Sequence, residues 1–222
     1  MPRTARIAPG GLIYHVLNRG VGKMKLFRSR KDFEAFQRCL VATQQSTPVR
    51  MLAYCVMNNH WHLVLWPEED GDLAKFMLRL TTMHVRRWLI NRHQVGTGHV
   101  YQGRYKSFAV QEDDHLATVC RYVERNPVRA GAADASAQWL WSSAGQNALP
   151  DALRVGLTDL PIPRRRDWAQ WGDLPQTPAE EEALDQCLKR NRPFGDERWL
   201  KKMQSTLGWR EPLKIGRPSK RK

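Results

Sequence analysis

The stretch MNNHWHLVLW places His60 and His62 one residue apart, with Trp61 between them. Side chains alternate between the faces of a strand, so the two imidazoles share one face and the indole takes the other. A neutral imidazole is a common metal ligand. Two on one face leave a divalent cation short of a further protein donor, with positions left for water or substrate. The same H-x-H pair also fits two ordinary hydrogen-bonded histidines, so partners elsewhere must decide its meaning. Trp61 is expected in the core. Trp66 falls on the histidine face by the same alternation, where it either stacks on a base or packs at the sheet edge.

A second constellation lies in RYVERNP. Tyr122 and Asn126 are four residues apart within a helix expected over 113–126, which sets one above the other. The apolar stripe of that helix is Leu116, Val119, Cys120 and Val123, and Tyr122 falls beside it rather than at its centre. Its hydroxyl can therefore reach the edge of a cleft, with the Asn126 amide oxygen near enough to join the same metal. The competing reading packs Tyr122 on the sheet and leaves Asn126 to cap the helix before Pro127.

The two constellations occur with further matching segments. HWH on a hairpin strand, followed by a Y-x-x-x-N helix running into NPVRAG, resembles the single-tyrosine HUH nucleases (histidine–hydrophobe–histidine). YHVLNRG near the start, VYQGRYKSF before the helix and NRPFGDERWL near the end are similar to the REP-associated tyrosine transposases. The likeness covers about residues 1–145, and the remainder more loosely. It implies that Tyr122 attacks a DNA phosphodiester, joins the 5′ phosphate and frees a 3′ hydroxyl. It further implies Mg²⁺ or Mn²⁺ at His60, His62 and Asn126; the ligand types alone would equally accept Zn²⁺ or Ni²⁺. The implied substrate is a single strand carrying a REP-type palindromic hairpin. A phenol has an ordinary pKa of about 10, so the site must take its proton or favour its ionised form. Tyr14, Tyr54, Tyr101 and Tyr105 are the other tyrosines. Tyr101 and Tyr105 compete most directly; Tyr122 is preferred because a helix can hold it rigidly against the metal and an Asn follows one turn later.

The elements that must position these residues follow from period and punctuation. Residues 11–20, 49–57 and 60–66 read as strands, with Asn58-Asn59 as the tight turn of a hairpin. A fourth strand is expected near 104–110. Helices are expected over 29–45, where Ser29 and Asp32 have capping-box spacing, and over 73–93 and 113–126. The order β-α-β-β-α-β, then a helix, predicts an α+β ferredoxin-like fold: an antiparallel four-stranded sheet with helices on one face. Beyond a boundary near residue 145 the chain is rich in Pro and Trp, then forms helices over 177–191 and 195–208 and ends in a basic tail. Two units are therefore expected, a nuclease domain over 1–145 and a helical extension over 146–222.

Lys and Arg number 36 against 22 acids, a formal charge of +14, which calls for a polyanionic partner. Candidate phosphate contacts are Arg19, Lys23 and Lys25 after the first strand, Arg79, Arg86 and Arg87 on the long helix, Arg104 and Lys106 in GRYKS, and Arg217 in the tail. The four cysteines are scattered with no C-x-x-C pair, which fits a reducing cytoplasm. No apolar run is long enough to span a bilayer. Because the extension is long enough to cover the tyrosine helix within one chain, a monomer is the expectation. The alternatives are a nucleic-acid-binding protein without catalysis and a metallohydrolase with no covalent step.

Overall fold

A computed structural model describes residues 7–163 and 165–208. Four antiparallel strands, β1 (Ile13–Arg19), β2 (Arg50–Met57), β3 (His60–Trp66) and β4 (Lys106–Val110), form one sheet in the order β2-β3-β1-β4. This is the expected ferredoxin-like order. Between the strands lie α1 (Arg30–Ser46) and α2 (Asp72–Asn91); α3 (Asp114–Glu124) and the short α4 (Asn126–Arg129) follow β4. The extension adds α5 (Trp168–Asp173), α6 (Pro178–Arg190) and α7 (Glu197–Leu207).

Local chemistry sets the ends of these elements. Asp32 accepts from the backbone of Ser29 at 3.0 Å, closing the α1 capping box. Thr177 and Glu180 make the same box at the start of α6, with Pro178 in the first turn. Asp113 caps α3 by accepting from the His115 backbone at 2.8 Å. Gly71 starts α2 at φ 87°, a left-handed conformation that most side chains resist.

The sheet has two covered faces with different jobs. α1 and α2, the helices inside the motif, pack on one face as expected, and they meet Tyr14, Val16, Tyr54, Val56, Trp61, Leu63 and Leu65 there. α3 closes the opposite face over Ile13, Ala53, Cys55, Val64, Phe108 and Val110. Alternation along β3 thus sends Trp61, fully buried, to the α1/α2 side and His62 to the α3 side. The β1–β3 register pairs Leu17 with His62 and Arg19 with His60.

The chain that follows α4 seals both sheet edges. The Val56 amide donates to Trp141 at 2.8 Å and the Ser143 amide donates to Tyr54 at 2.9 Å, pairing the free edge of β2. At the other edge, the Phe194 amide donates to Ala109 at 2.8 Å and the Gln111 amide donates to Phe194 at 2.9 Å. Unpaired edges invite association with other chains, and these two are occupied from within.

Candidate active site

His60 and His62 project from β3 onto the α3 face with ring centroids 5.0 Å apart. Each has its Nδ1 tied to the protein. His60 Nδ1 lies 2.6 Å from the Asn59 side-chain oxygen, and His62 Nδ1 lies 2.8 Å from Nε2 of His15. Anchoring Nδ1 leaves Nε2 as the nitrogen that faces outward, the usual arrangement around a ligating imidazole. Burial holds all three rings neutral. His15 is pushed down to about 3 and His60 to about 4, where Arg19 adds to the effect; His62 falls well below its ordinary value through burial and then the neighbouring His15. Their lone pairs are therefore available at neutral pH.

α3 brings Tyr122 across this pair. The tyrosine is buried, with its ring edge-on to His62 at 5.7 Å between centroids. α3 does not run through to Asn126 as the spacing suggested. It ends at Glu124, and Asn126 opens α4, because Pro127 supplies no N–H to continue the ladder. Arg125 between them keeps helical angles (φ −81°, ψ −4°), so the four-residue relation of Tyr122 and Asn126 survives the break. The Asn126 amide nitrogen donates to His62 Nε2 at 3.3 Å, and the same side chain raises the His60 pKa against the effect of burial. Past the break the chain returns, and Arg129 Nη2 donates to the Tyr122 hydroxyl at 3.2 Å.

A cleft of about 810 Å³ opens over these groups. Arg19, Arg104 and Lys106 line it from the β1 and β4 side, and α6 contributes Glu181, Glu182, Asp185 and Lys189. The donor types fit a divalent cation: two neutral imidazoles and one amide converge, and a half-turn of the Asn126 amide would present oxygen instead of nitrogen. Among the described residues, no group of three His, Cys, Asp or Glu could hold a metal, so Asn126 is the third donor on which such a site depends.

The other sequence candidates part company here. Lys23 and Lys25 are exposed beyond β1 and do not line the cleft. Arg79, Arg86 and Arg87 are exposed on α2, which packs on the opposite sheet face from the histidines. Arg217 lies outside the described residues. Tyr14 donates to Pro9, Tyr54 is bonded to Gln37 and Gln146, and Tyr101 is buried beneath α1 and α2. Tyr105 packs against that same core. Of the two possibilities for Trp66, edge packing is the one seen: Arg50 lies 3.5 Å over its ring, and its indole donates to Gly11. Sequence reasoning missed His15, Arg129 and the α6 acids. His15 alone carried a signal, since a histidine inside an apolar strand needs a partner.

A family model described as "Transposase IS200 like" matches residues 10–126. A Haemophilus influenzae protein named as a REP-associated tyrosine transposase is 26% identical over 116 residues, 49% of this chain and 66% of that protein. The match thus spans just under two thirds of the relative's length. A solved structure of a REP-associated tyrosine transposase bound to a REP hairpin superposes with a TM-score of 0.53 at 19% identity, covering 74% of this chain and 98% of the other. That likeness shows a shared fold.

Proposed function

This chain belongs to the IS200-like transposase family, and from that premise we propose that it is a metal-dependent endonuclease and strand transferase for single-stranded DNA bearing REP-type hairpins. Tyr122 is the nucleophile. The observation that carries this reading is the placement of its hydroxyl in a basic cleft, on a ring that packs against His62 beside the Asn126 amide.

In the forward step, Tyr122 Oη bonds to phosphorus and the P–O3′ bond breaks. The tyrosine proton ends, in net, on the departing 3′ oxygen, and the 5′ phosphate is left as a tyrosine ester. Joining reverses the step with a new 3′ hydroxyl and needs no nucleotide cofactor, because the ester retains the bond energy. A cation held by His60, His62 and Asn126, Mg²⁺ or Mn²⁺ by family resemblance, would polarise the scissile phosphate and offset charge on its oxygens. Arg19, Arg104 and Lys106 line the cleft and would hold backbone phosphates, so binding should weaken steeply as salt rises. Tyrosine and histidines come together from one chain, which supports action as a monomer.

The test is to incubate the protein with hairpin-bearing single strands, with and without Mg²⁺ or Mn²⁺, and to resolve the products on a denaturing gel. A protein–DNA adduct that Tyr122→Phe abolishes is the expected result. Cutting without an adduct would point to a metallohydrolase, and binding alone to a non-catalytic nucleic-acid-binding protein.

A further inference from the structure

We propose that Arg129 is a catalytic residue whose guanidinium holds the Tyr122 oxygen and then the phosphate that this oxygen joins; the assignment rests on the reading of Tyr122 given above. Three observations carry it. First, Nη2 of Arg129 donates to Tyr122 Oη at 3.2 Å, so the side chain touches the reacting atom itself. Second, its guanidinium carbon lies 4.7 Å from the centre of the Tyr122 ring, a cation–π contact that keeps the planar group over the phenol. Third, Arg129 is exposed on the cleft, and among the described residues no carboxylate lies within ion-pair distance of it. Most of its five N–H donors are thus left for a ligand.

The chain arrives there by construction. Tyr122 and Arg129 are seven residues apart, a spacing that places two residues on one face of a helix. Pro127 interrupts the ladder, and α4 carries Arg129 back over the ring that α3 presents.

The chemistry follows from what an arginine can do. It stays protonated, so it cannot accept the phenol proton. It can donate to Oη, stabilise negative charge on that oxygen and span the phosphate oxygens as the ester forms. In the joining direction, a 3′ oxygen bonds to phosphorus and the Tyr122 O–P bond breaks. Arg129 then donates to the departing phenolate oxygen, which takes up the proton that the 3′ hydroxyl releases. Both directions share one transition state, so both should lose rate together when the guanidinium is removed.

The experiment is single-turnover adduct formation with a hairpin substrate and Mn²⁺, alongside hairpin affinity measured by fluorescence anisotropy. Arg129→Ala should lower the rate at saturating hairpin by about 100-fold, the scale set by losing one donor to a developing oxyanion. Its Kd should stay within about threefold of the parent, since one phosphate contact among several is lost. Arg129→Lys should recover part of the rate, because charge returns without the planar fork. A rate for Arg129→Ala within threefold of the parent would overturn the assignment, as would a loss confined to Kd. A parent protein that forms no adduct would sink the nuclease reading itself, and this assignment with it.

Discussion

Replacing Tyr101 by phenylalanine removes one oxygen atom and should destabilise the protein about as much as a large core truncation. That hydroxyl is the centre of a buried chain on the sheet face opposite the cleft. The Trp61 indole donates to it at 2.9 Å, and Nδ1 of His84 shares a hydrogen bond with it at 2.6 Å. Trp61 is fully buried, and Tyr101 and His84 are 7% and 4% exposed, so water cannot replace the oxygen without opening the core. Removing it leaves two buried polar groups without their partner. At about 1–3 kcal/mol for each, the sum is about 3 kcal/mol. Trp61→Phe leaves Tyr101 bonded to His84 and should cost about 2 kcal/mol, mostly from lost packing. The double variant should cost less than the sum by about 1 kcal/mol, because it removes donor and acceptor together. Urea denaturation measures all three; at a slope of about 2 kcal/mol per molar, Tyr101→Phe should move the midpoint by about 1.5 M. A shift below about 0.3 M for that variant would refute the reasoning. Hairpin binding at 25 °C should stay at the parental level, since the affected face is not the one that carries the histidines.

Three further outcomes are expected. His15→Phe keeps an aromatic ring but frees Nδ1 of His62, so Mn²⁺ affinity measured by EPR should fall by about 10- to 100-fold; unchanged affinity would remove His15 from the site. Burial pushes His84 down to about 3, while the unfolded side chain titrates near 6.5. The unfolded state therefore binds the extra proton first. The contribution of neutral His84 is complete above pH 6.5 and is lost as pH falls toward 3, at about 1.4 kcal/mol per pH unit. A urea midpoint that holds constant between pH 7 and pH 5 would contradict this. Finally, Arg121 is buried, and its Nη2 donates to both carboxylate oxygens of Glu180 at 2.7 Å. Glu180→Gln preserves the α6 capping box but leaves that charge unpaired. Discounted for the partial exposure of Glu180, the expected loss is about 2 kcal/mol, seen as faster amide exchange in α6 than in α1. Equal exchange in the two helices would show that the pair does not hold α6 down.

Much of the architecture could be read from local signals. The hairpin was legible because period-two alternation meets an Asn-Asn turn, and α1 and α6 because their capping boxes are written at fixed spacing. The sides taken by His62 and Trp61 follow from the pleat alone. Other features depend on which strands become neighbours, and no local pattern carries that. His15 reaches His62 only because β1 lies beside β3 in the register that pairs Leu17 with His62. Phe194 seals β4 across more than eighty residues of chain. The basic candidates divide for the same reason. Arg19, Arg104 and Lys106 come together where β1 meets the segment before β4, while α2 carries Arg79, Arg86 and Arg87 to the other side of the sheet.

The HWH triplet is therefore best understood as a joint between two environments rather than as a pair of ligands with a spacer. On one side the indole of Trp61 belongs to a dry core, fixed by Tyr101 and through it by α2. On the other, His62 is fixed by His15 and faces Asn126. A shift of β3 along its neighbours by one residue would bury both imidazoles under α1 and α2 and turn the indole toward the cleft, so register and chemistry stand or fall together. The segments that seal the sheet edges oppose that shift: the backbone of β2, the hairpin partner of β3, is pinned by residues 141 and 143, and that of β4 by residue 194. On this view the chain after α4 contributes to the site through the sheet as well as through the α6 side chains that line the cleft. Weakening the edge contacts of Trp141 and Ser143 with β2 should therefore loosen the histidine pair, although neither residue touches it.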